Sequence, residues 1–351
     1  MVCQLRLFTA LITLASIAGW FADHSVAQSA YVPPRCEIVP LPRHEVSFRI
    51  DGIEKLRWHF GPQYPRPFFF PLNGPSGQPL TRMGHPGAQN HDHHRSIWFA
   101  HNKVNGVDFW SDNTDARIRQ THWYSYQDGD REAAMASHLV WIDGEGNELM
   151  QQDVVVALIP VDRKDAADEH AIEFQLTFRP GKRRQSVELQ QTNFGFLAVR
   201  VAKSLSAYFG AGRLSNPEGT EGEPQLHETS ARWMDYSGPV AVHGRNGRQV
   251  VEEGVTYFDH PDNRSYPTSW HVRDDGWMGA APGMKRSIQI TAKSPLVLRY
   301  LLHAHSGPVD RARAKALANE FAERSRFQIR KPLPSERHRQ FELDRVAPAS
   351  P

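Results

Sequence analysis

The sequence has little cysteine, little net charge and no long apolar run beyond its first residues. Its two cysteines are Cys3 and Cys36, and removal of a leader that carries Cys3 would leave no internal disulfide. A formal charge of +2 over 351 residues gives no electrostatic basis for binding nucleic acid or another polyanion. After residue 21 no stretch approaches the roughly 18 apolar residues of a membrane helix, so no span is predicted in the mature protein.

Short motifs of several large enzyme classes are absent as well. The chain contains no P-loop, no dinucleotide-binding glycine fingerprint, no Gly-x-Ser-x-Gly elbow and no internal repeat. These absences remove the usual sequence grounds for predicting a nucleotide-binding fold, an α/β-hydrolase or a repeat protein.

The first 27 residues have the three parts of an export signal. Arg6 supplies positive charge, an apolar run extends from Leu7 to Phe21, and the small residues Ser25-Val26-Ala27 follow. This order predicts a signal peptide over residues 1–27 and a mature protein that is periplasmic or secreted. An uncleaved membrane anchor is the alternative that the same run leaves open.

Alternating apolar and polar residues dominate the rest of the chain. Residues 46–50 and 56–60 alternate in this way around the turn signal Asp51-Gly52, which predicts a β-hairpin. The 25 glycines and 25 prolines supply turns for many further short strands. We therefore predict an all-β protein, a large antiparallel β-sandwich.

One helix is predicted near the C-terminus, over Val309–Arg324. Leu317 and Phe321 are four residues apart there, with alanines between them and no glycine or proline. The predicted organisation is a signal peptide at 1–27, a loose lead-in at 28–44, one sandwich domain at 45–330 and a loose tail at 331–351.

A histidine-rich stretch over residues 84–101 is the strongest candidate for a functional site. It holds five of the 18 histidines of the chain, namely His85, His91, His93, His94 and His101. Imidazole titrates near neutral pH and is the commonest metal ligand in proteins. The alternative is a structural role, in which several of these histidines are turn residues or hydrogen-bonded polar groups in the core.

Two kinds of chemistry fit this stretch. His91 and His93 are two residues apart and could bind a divalent metal with a third ligand from His260, His271 or His305. Without a metal, an imidazole oriented by Asp92 can act as a general acid or base. Three further groups could hold a substrate: Arg95 could bind a carboxylate or polar oxygens, and Trp98 and Trp110 could stack on sugar rings.

A second cluster repeats this chemistry over a hundred residues later. It places an acid beside an imidazole at Asp259-His260 and an aromatic ring beside an imidazole at Trp270-His271, with Arg273 nearby. A turn with solvated charges is the alternative. We predict that His93, His94 and Arg95 face the same pocket as His260, His271 and Arg273. Since adjacent strand residues point to opposite faces, His93 and His94 must then lie in a loop or at a strand end.

Several motifs, in order along most of the mature chain, resemble those of the bacterial PmoA-like family, a family of unknown function whose label borrows the words methane oxygenase. They are Arg66-Pro-Phe-Phe-Phe-Pro71, Asp92-His-His-Arg-Ser-Ile-Trp-Phe-Ala-His101, Val104-Asn-Gly-Val-Asp-Phe-Trp110, Trp233-Met-Asp-Tyr-Ser-Gly238, Phe258-Asp-His-Pro-Asp-Asn263, Pro267-Thr-Ser-Trp-His-Val-Arg273 and His305-Ser-Gly307.

The resemblance implies a β-sandwich of the supersandwich type with a carbohydrate-related activity, as in aldose-epimerase-like and lyase-like proteins. Members of the family often carry a compact Asp-His-Pro-His-His run. Here His85-Pro86 and His93-His94 are separated by residues 87–92, so the resemblance does not say which histidines act together. The borrowed label does not fit, because a membrane oxygenase subunit needs spanning segments.

These observations predict an exported enzyme that acts on a sugar or glycoside by histidine and carboxylate acid/base chemistry, as an epimerase, a lyase or a hydrolase. The alternatives are a metal-dependent oxidoreductase that uses the clustered histidines and a non-catalytic carbohydrate-binding protein. No cofactor is predicted. The predicted catalytic residues are His93, His94, His271 and Asp92. The predicted substrate-binding residues are Arg95, Trp98, His101, Asp108, Trp110, His260, Trp270, Arg273 and His305.

Overall fold

The computed structural model describes residues 31–161, 168–245, 247–335 and 338–346. The predicted signal peptide, with Cys3, lies outside the described residues. The chain divides into two units, Met1–Pro33 and Pro34–Pro351, and the fold given below is that of the second unit.

Strands account for 51% of the described residues and helices for 7%. The strands of the first half are β1 (Cys36–Leu41), β2 (Glu45–Ile50), β3 (Ile53–His59), β4 (Phe68–Leu72), β5 (Ile97–His101), β6 (Arg117–Gln127), β7 (Ala133–Ile142), β8 (Glu148–Pro160), β9 (His170–Pro180) and β10 (Ser186–Leu189). Those of the second half are β11 (Gly195–Arg200), β12 (Arg213–Ser215), β13 (Trp233–Gly244), β14 (Gly247–Asp259), β15 (Trp270–Arg273), β16 (Trp277–Ala280), β17 (Ile288–Thr291), β18 (Leu296–Ser306), β19 (Phe327–Arg330) and β20 (Glu342–Arg345). The helices are α1 (Glu223–Leu226) and α2 (Arg311–Glu323).

Two eight-stranded antiparallel sheets form the sandwich. The first sheet has the order β1-β2-β3-β4-β5-β11-β16-β15, and the second has the order β12-β13-β14-β18-β9-β8-β7-β6. Phe69 and Phe99 of the first sheet contact Phe174 of the second, with ring centroids 5.5 and 6.0 Å apart. Each fully buried ring of this kind contributes roughly 1.5–3 kcal/mol relative to an exposed one. The prediction of an all-β sandwich is confirmed.

The predicted hairpin is present as β2 and β3. Its turn residues Asp51 and Gly52 both have positive φ, 50° and 77°, and Ile50 pairs with Ile53 across them. A two-residue turn of this hand matches the right-handed twist of the flanking strands, which is why Asp-Gly is favoured there.

The predicted helix is also present, two residues shorter at its start. It begins at Arg311 because the Asp310 carboxylate accepts hydrogen bonds from the backbone N–H groups of Ala312 and Arg313. Its apolar side, which includes Leu317 and Phe321, packs on the outer face of the second sheet. None of the helices in the described part of the chain has the length and hydrophobicity of a membrane span.

Both ends of the predicted domain need correction. Residues 36–41, predicted to be a loose lead-in, form β1 and pair with β2 along the whole strand. Pro40 obscures this strand in the sequence, but proline is tolerated on an edge strand such as β1. Residues 342–345, predicted to be a loose tail, form β20, whose Leu343 is buried together with Phe327 of β19. The sandwich domain therefore extends from about residue 36 to residue 345.

The outer face of the first sheet positions the candidate site. Side chains alternate along β5, so that Ile97 and Phe99 enter the core between the sheets while Trp98 and Ala100 belong to a separate outer cluster. Ala198 of β11 and Trp277 of β16 belong to the same outer cluster. The loops on either side of β5 carry six of the 13 predicted catalytic and substrate-binding residues, namely Asp92, His93, His94, Arg95, Asp108 and Trp110.

Candidate functional site

A cavity of about 450 Å³ lies over the outer face of the first sheet. Its volume falls within the usual range for small-molecule sites. Residues from five separate parts of the chain line it: Asn90, His91, His93, His94, Asn102, Asp108, Trp110, Asn193, Phe194, Arg200, His227, His271, Arg273, Asp275 and Trp277.

The loop before β5 brings His93 and His94 to the same side. Gln89–His91 form one 3₁₀ turn, and the backbone N–H of Gly84 donates to the carbonyl of His94 at 2.8 Å, which closes the loop. Because His93 and His94 precede the strand, the alternation of side chains in a strand does not separate them. This placement agrees with the predicted loop or strand end.

Four imidazole rings of this loop form one cluster. The ring centroid of His91 lies 5.3 Å from that of His85, 6.0 Å from that of His93 and 4.9 Å from that of His94. Burial, followed by repulsion from Arg66, lowers the pKa of His93 to about 4. Burial, followed by repulsion from His85, also lowers the pKa of His91. The lowered pKa values of His91 and His93 let these neighbouring imidazoles share a small volume in their neutral forms.

A chain of polar contacts extends from the rim of the cavity to its floor. His85 Nε2 lies 3.0 Å from Asp275 Oδ2, the other oxygen of Asp275 accepts from Arg200, and Arg200 Nη2 donates to His94 Nδ1 at 2.6 Å. The guanidinium of Arg200 is fully buried and lies over the ring of Trp277. Burial opposes ionisation of Asp275, but Arg200 and then His85 outweigh it and lower the pKa of this carboxyl group.

Arg200 determines the tautomer of His94. A guanidinium has only N–H donors, so the Nδ1 that faces it must be the unprotonated nitrogen of His94. The proton of the neutral ring is therefore on Nε2. Burial, followed by the charge of Arg200, holds the pKa of His94 far below its ordinary value, so the ring stays neutral. Because His94 lines the cavity and its Nδ1 faces Arg200, the Nε2–H is the group of this ring that is left to donate to a ligand.

His271 has the opposite arrangement. Its Nδ1 lies 3.2 Å from the backbone carbonyl of Asn193, which can only accept a hydrogen bond, so Nδ1 carries the proton and Nε2 has the lone pair. Burial, followed by repulsion from His227, lowers the pKa of His271 to about 4. The cavity thus contains one imidazole that offers an N–H donor and another that offers an acceptor.

Trp277 links these two histidines. Its ring centroid lies 4.9 Å from that of His94 and 5.8 Å from that of His271. The two imidazoles are therefore at most the sum of these distances apart, about 11 Å. One small substrate can reach both rings. The structure brings together His93, His94, His271 and Arg273, as predicted from the two sequence clusters.

Flat apolar rings and polar groups alternate on the cavity wall. Trp110 contacts both Trp277 and Phe194, at 5.4 and 5.5 Å between ring centroids. The Asp108 Oδ1 atom accepts from the backbone N–H of Trp110 at 2.6 Å, which fixes this carboxylate at the wall. Asn102 has a buried Oδ1 with no hydrogen-bond partner among the described residues.

Four predicted residues near the histidine stretch do not line the cavity. Trp98 is fully buried beneath it and stacks on His94, so it supports the imidazole and does not present a face to a ligand. His101 points to the inner face of the sheet, where it stacks on Phe196, because it lies an odd number of residues after Trp98. Arg95 forms an ion pair with Asp112. The exposed carboxylate of Asp92 has no hydrogen bond to any imidazole among the described residues, so its predicted orienting role is wrong.

The predicted convergence is wrong for His260, and the predicted substrate-binding residues Trp270 and His305 do not line the cavity either. His260 follows β14 of the second sheet and packs on Phe321 of α2, with ring centroids 4.7 Å apart. Trp270 is buried in the core against Tyr257. His305 lies on the outer face of the second sheet, where its Nε2 contacts Asp235 Oδ1 at 2.9 Å.

His305 belongs to a second polar group, which we call the helix-covered cluster because it lies near the start of α2. In this cluster His303 Nε2 contacts Glu169 Oε2 at 3.1 Å, and Arg313 of α2 pairs with the same carboxylate. Its members are Glu169, Asp235, His303, His305 and Arg313.

Some cavity residues were not predicted from the sequence. Arg200 is the charged end of an otherwise apolar strand, and such a charge is a signal of a buried polar partner. Trp277 follows a tight Asp-Asp-Gly turn after β15, and Asp275 is part of that turn. The others are Asn90, Asn102, Asn193, Phe194 and His227.

The predicted metal site at His91 and His93 stays a prediction. The two ring planes are 20° apart, and their centroids are 6.0 Å apart. Within the described ranges no group of three or more His, Cys, Asp or Glu is arranged to hold a metal ion.

Comparison with known proteins gives a family. A family model described as a family of unknown function, DUF6807, matches residues 45–319, a range that includes every cavity residue. No curated protein matches the chain. The resemblance to PmoA-like proteins is not tested by this match and stays a prediction.

Proposed function

The chain belongs to the family of unknown function DUF6807, and we propose that it is an exported enzyme that removes a proton from a sugar next to a carbonyl group. In this proposal His271 is the general base. His94 is the hydrogen-bond donor to the carbonyl oxygen. The reaction is epimerase-like or lyase-like.

The observation that carries the proposal is the opposite tautomer of the two imidazoles in one cavity. A neutral imidazole N–H is a very weak acid, so His94 is suited to hold a developing oxyanion and not to give up its proton. The free lone pair of His271 can accept a proton. A donor and an acceptor on either side of Trp277 fit a reaction in which negative charge develops on oxygen as a C–H bond breaks.

The proposed reaction begins with removal of a proton from carbon. The Nε2 atom of His271 takes the proton from the carbon beside the carbonyl, the C–H electron pair forms a carbon–carbon double bond, and the carbonyl π pair moves to the oxygen. The Nε2–H of His94 donates to that oxygen. Return of a proton to the opposite face of the carbon gives an epimer. Departure of a substituent from the next carbon, with its electron pair and a proton from His271 or water, gives an elimination product.

A sugar fits the walls of the cavity. Trp110 and Trp277 offer aromatic faces, and Asp108 and Asn102 offer oxygens that can accept hydrogen bonds from hydroxyl groups. The resemblance in the sequence to proteins of carbohydrate-related type supports the same class of substrate. Glycoside hydrolysis has less support, because it needs a carboxyl group that stays protonated, and the pKa of Asp275 is lowered by its neighbours.

Solvent deuterium exchange tests the proposal. The chain is incubated in D₂O with ketoses, aldoses, keto-sugars and uronates, and mass spectrometry measures deuterium bound to carbon or a new unsaturated product. We expect exchange or elimination with at least one compound, and its loss in the His271→Ala variant. Binding of a sugar without exchange would instead identify a non-catalytic carbohydrate-binding protein. Loss of exchange after treatment with a chelator would favour the metal-dependent alternative.

A further inference from the structure

We propose that the substrate is longer than one sugar unit, and that Tyr208 and Phe209 form an outer subsite for a second unit. This inference rests on the proposed function, because it extends the same cavity. A substrate with a second unit bound at this subsite is a glycoside or an oligosaccharide.

Aromatic rings continue without a break from the cavity to these two residues. His91 lines the cavity, His85 lies 5.3 Å from it, and the Phe209 ring is a further 5.3 Å away between centroids. The ring of Tyr208 lies 4.8 Å beyond that of Phe209. The path from His91 to Tyr208 is therefore at most about 15 Å, the sum of these distances, which linked sugar units can follow.

Backbone N–H groups hold the loop that carries the two rings, through one bond to another loop and one within it. The Tyr208 N–H donates to the carbonyl of Asp274 at 2.8 Å, and the Phe209 N–H donates to the hydroxyl oxygen of Ser206 at 3.2 Å. The first of these bonds ties the loop to the residue next to Asp275, which pairs with Arg200 and His85. Tyr208 is nevertheless 74% exposed. A tyrosine side chain has only two χ angles, so it loses little conformational entropy when a sugar stacks on its ring.

Two cationic side chains lie beside the ring of Phe209, the neighbour of Tyr208. Arg82 lies 5.6 Å and Lys203 lies 5.9 Å from the centroid of Phe209. Arg82 also donates to the backbone carbonyl of Asp275 at 2.7 Å, so it connects the subsite to the cavity wall. The exposed ammonium of Lys203 can donate to sugar hydroxyl groups beside a ring stacked on Tyr208. Single exposed aromatic residues are common on protein surfaces, but this one ends a continuous path from a cavity.

Direct binding measurements test the subsite. Isothermal titration uses neutral sugars and uronates, each as a monosaccharide and as the matching di- and trisaccharide, with the full chain and with variants. We expect the longer forms of the bound sugar to bind about three- to tenfold more tightly than the monosaccharide, the gain expected from one stacking contact. Tyr208→Ala should remove this gain and leave the monosaccharide affinity unchanged, whereas Tyr208→Phe should keep it.

A matched control is Tyr126→Ala, because Tyr126 is also exposed but contacts Trp123 on the edge strand β6 and lies outside the cavity. Equal affinity for the short and long forms, or a length gain that survives Tyr208→Ala, overturns the inference. A Tyr208-dependent gain in a chain that shows no deuterium exchange supports the subsite and overturns only the proposed reaction. Failure of every sugar in the series to bind overturns both.

Discussion

The cavity and the helix-covered cluster are both rich in buried histidine, yet they differ in the partners of the imidazoles and in the size of the space beside them. In the cluster, His303 and His305 each contact a carboxylate, and the space beside them is about 20 Å³, enough for roughly one water molecule. In the cavity, His94 and His271 each have one nitrogen engaged and one available, beside a space of about 450 Å³.

The partners of the histidines explain the difference. A carboxylate beside an imidazole satisfies it, and Asp235 outweighs burial to raise the pKa of His305. A guanidinium beside an imidazole does the opposite and leaves a neutral ring with its N–H directed elsewhere, as Arg200 does for His94. The number of histidines in a sequence therefore identifies a site less well than the charge of their buried neighbours.

The largest expected effect separates the cavity from the buried histidines near α2 by function. His271→Ala should lower turnover by roughly 10²- to 10⁴-fold, the usual contribution of a general base, while the melting temperature changes little. His260→Ala, a buried histidine beside α2, is the control and should lower thermal stability without a change in turnover per folded molecule. Steady-state kinetics and thermal unfolding measure both. Equal losses of turnover in the two variants would contradict the assignment of the cavity as the site.

A second prediction concerns the tautomer of His94. Arg200→Met removes the cation that faces Nδ1, so the proton of His94 should distribute over both nitrogens and turnover should fall by about 10²-fold, less than for loss of the base. Nitrogen-15 NMR of labelled histidine measures the tautomer. Asp275→Asn, which weakens the hold on Arg200 without removing it, should give a smaller change in the same direction. A single Nε2–H tautomer in Arg200→Met would show that Arg200 does not determine it.

A third prediction concerns stability in the helix-covered cluster. Glu169→Gln removes the charge that pairs with Arg313 and His303, and it should lower the free energy of unfolding by about 1.5–3 kcal/mol. Sugar binding in the cavity should not change, because the two regions lie on different sheets. Urea denaturation and titration calorimetry measure the two quantities. A loss of sugar affinity without a loss of stability would reverse the roles given to the two regions.

The smallest expected effect is a graded loss of stability in mild acid. Burial is the first cause that lowers the pKa of His93, His271, His260 and His303 to about 4, against about 6.5 in an unfolded chain. Between these values the unfolded chain binds more protons, so stability is complete above about pH 6.5 and decreases as the pH falls toward 4.

Histidines from both regions contribute to this loss. Asp259, whose pKa is raised to about 7 by burial, and His305 act in the opposite direction, but they are outnumbered. Urea denaturation at pH 7.5 and at pH 5.5 measures the difference. His303→Gln should reduce the difference, and a free energy of unfolding that rises between pH 7.5 and 5.5 would contradict the prediction.

The sequence by itself determined the class of fold and the neighbourhood of the site. Alternation predicted strands, Asp51-Gly52 predicted a hairpin, and Leu317 with Phe321 predicted a helix, because each of these signals depends on residues close together in the chain. The histidine stretch indicated one wall of the cavity for the same reason.

Only the tertiary structure decided which distant residues complete the site. His271 and Trp270 are adjacent in the sequence, but β15 directs Trp270 into the core and His271 into the cavity. His260 of Asp259-His260 and His271 of Trp270-His271 were both predicted to line the cavity. His260 follows β14, which belongs to the second sheet, so it packs against α2 instead. Arg200 meets His94 because β11 pairs with β5, which is a contact between residues more than a hundred positions apart. Local patterns contain no information about such pairings, since the order of strands in a sheet is set by how the whole chain buries its apolar faces.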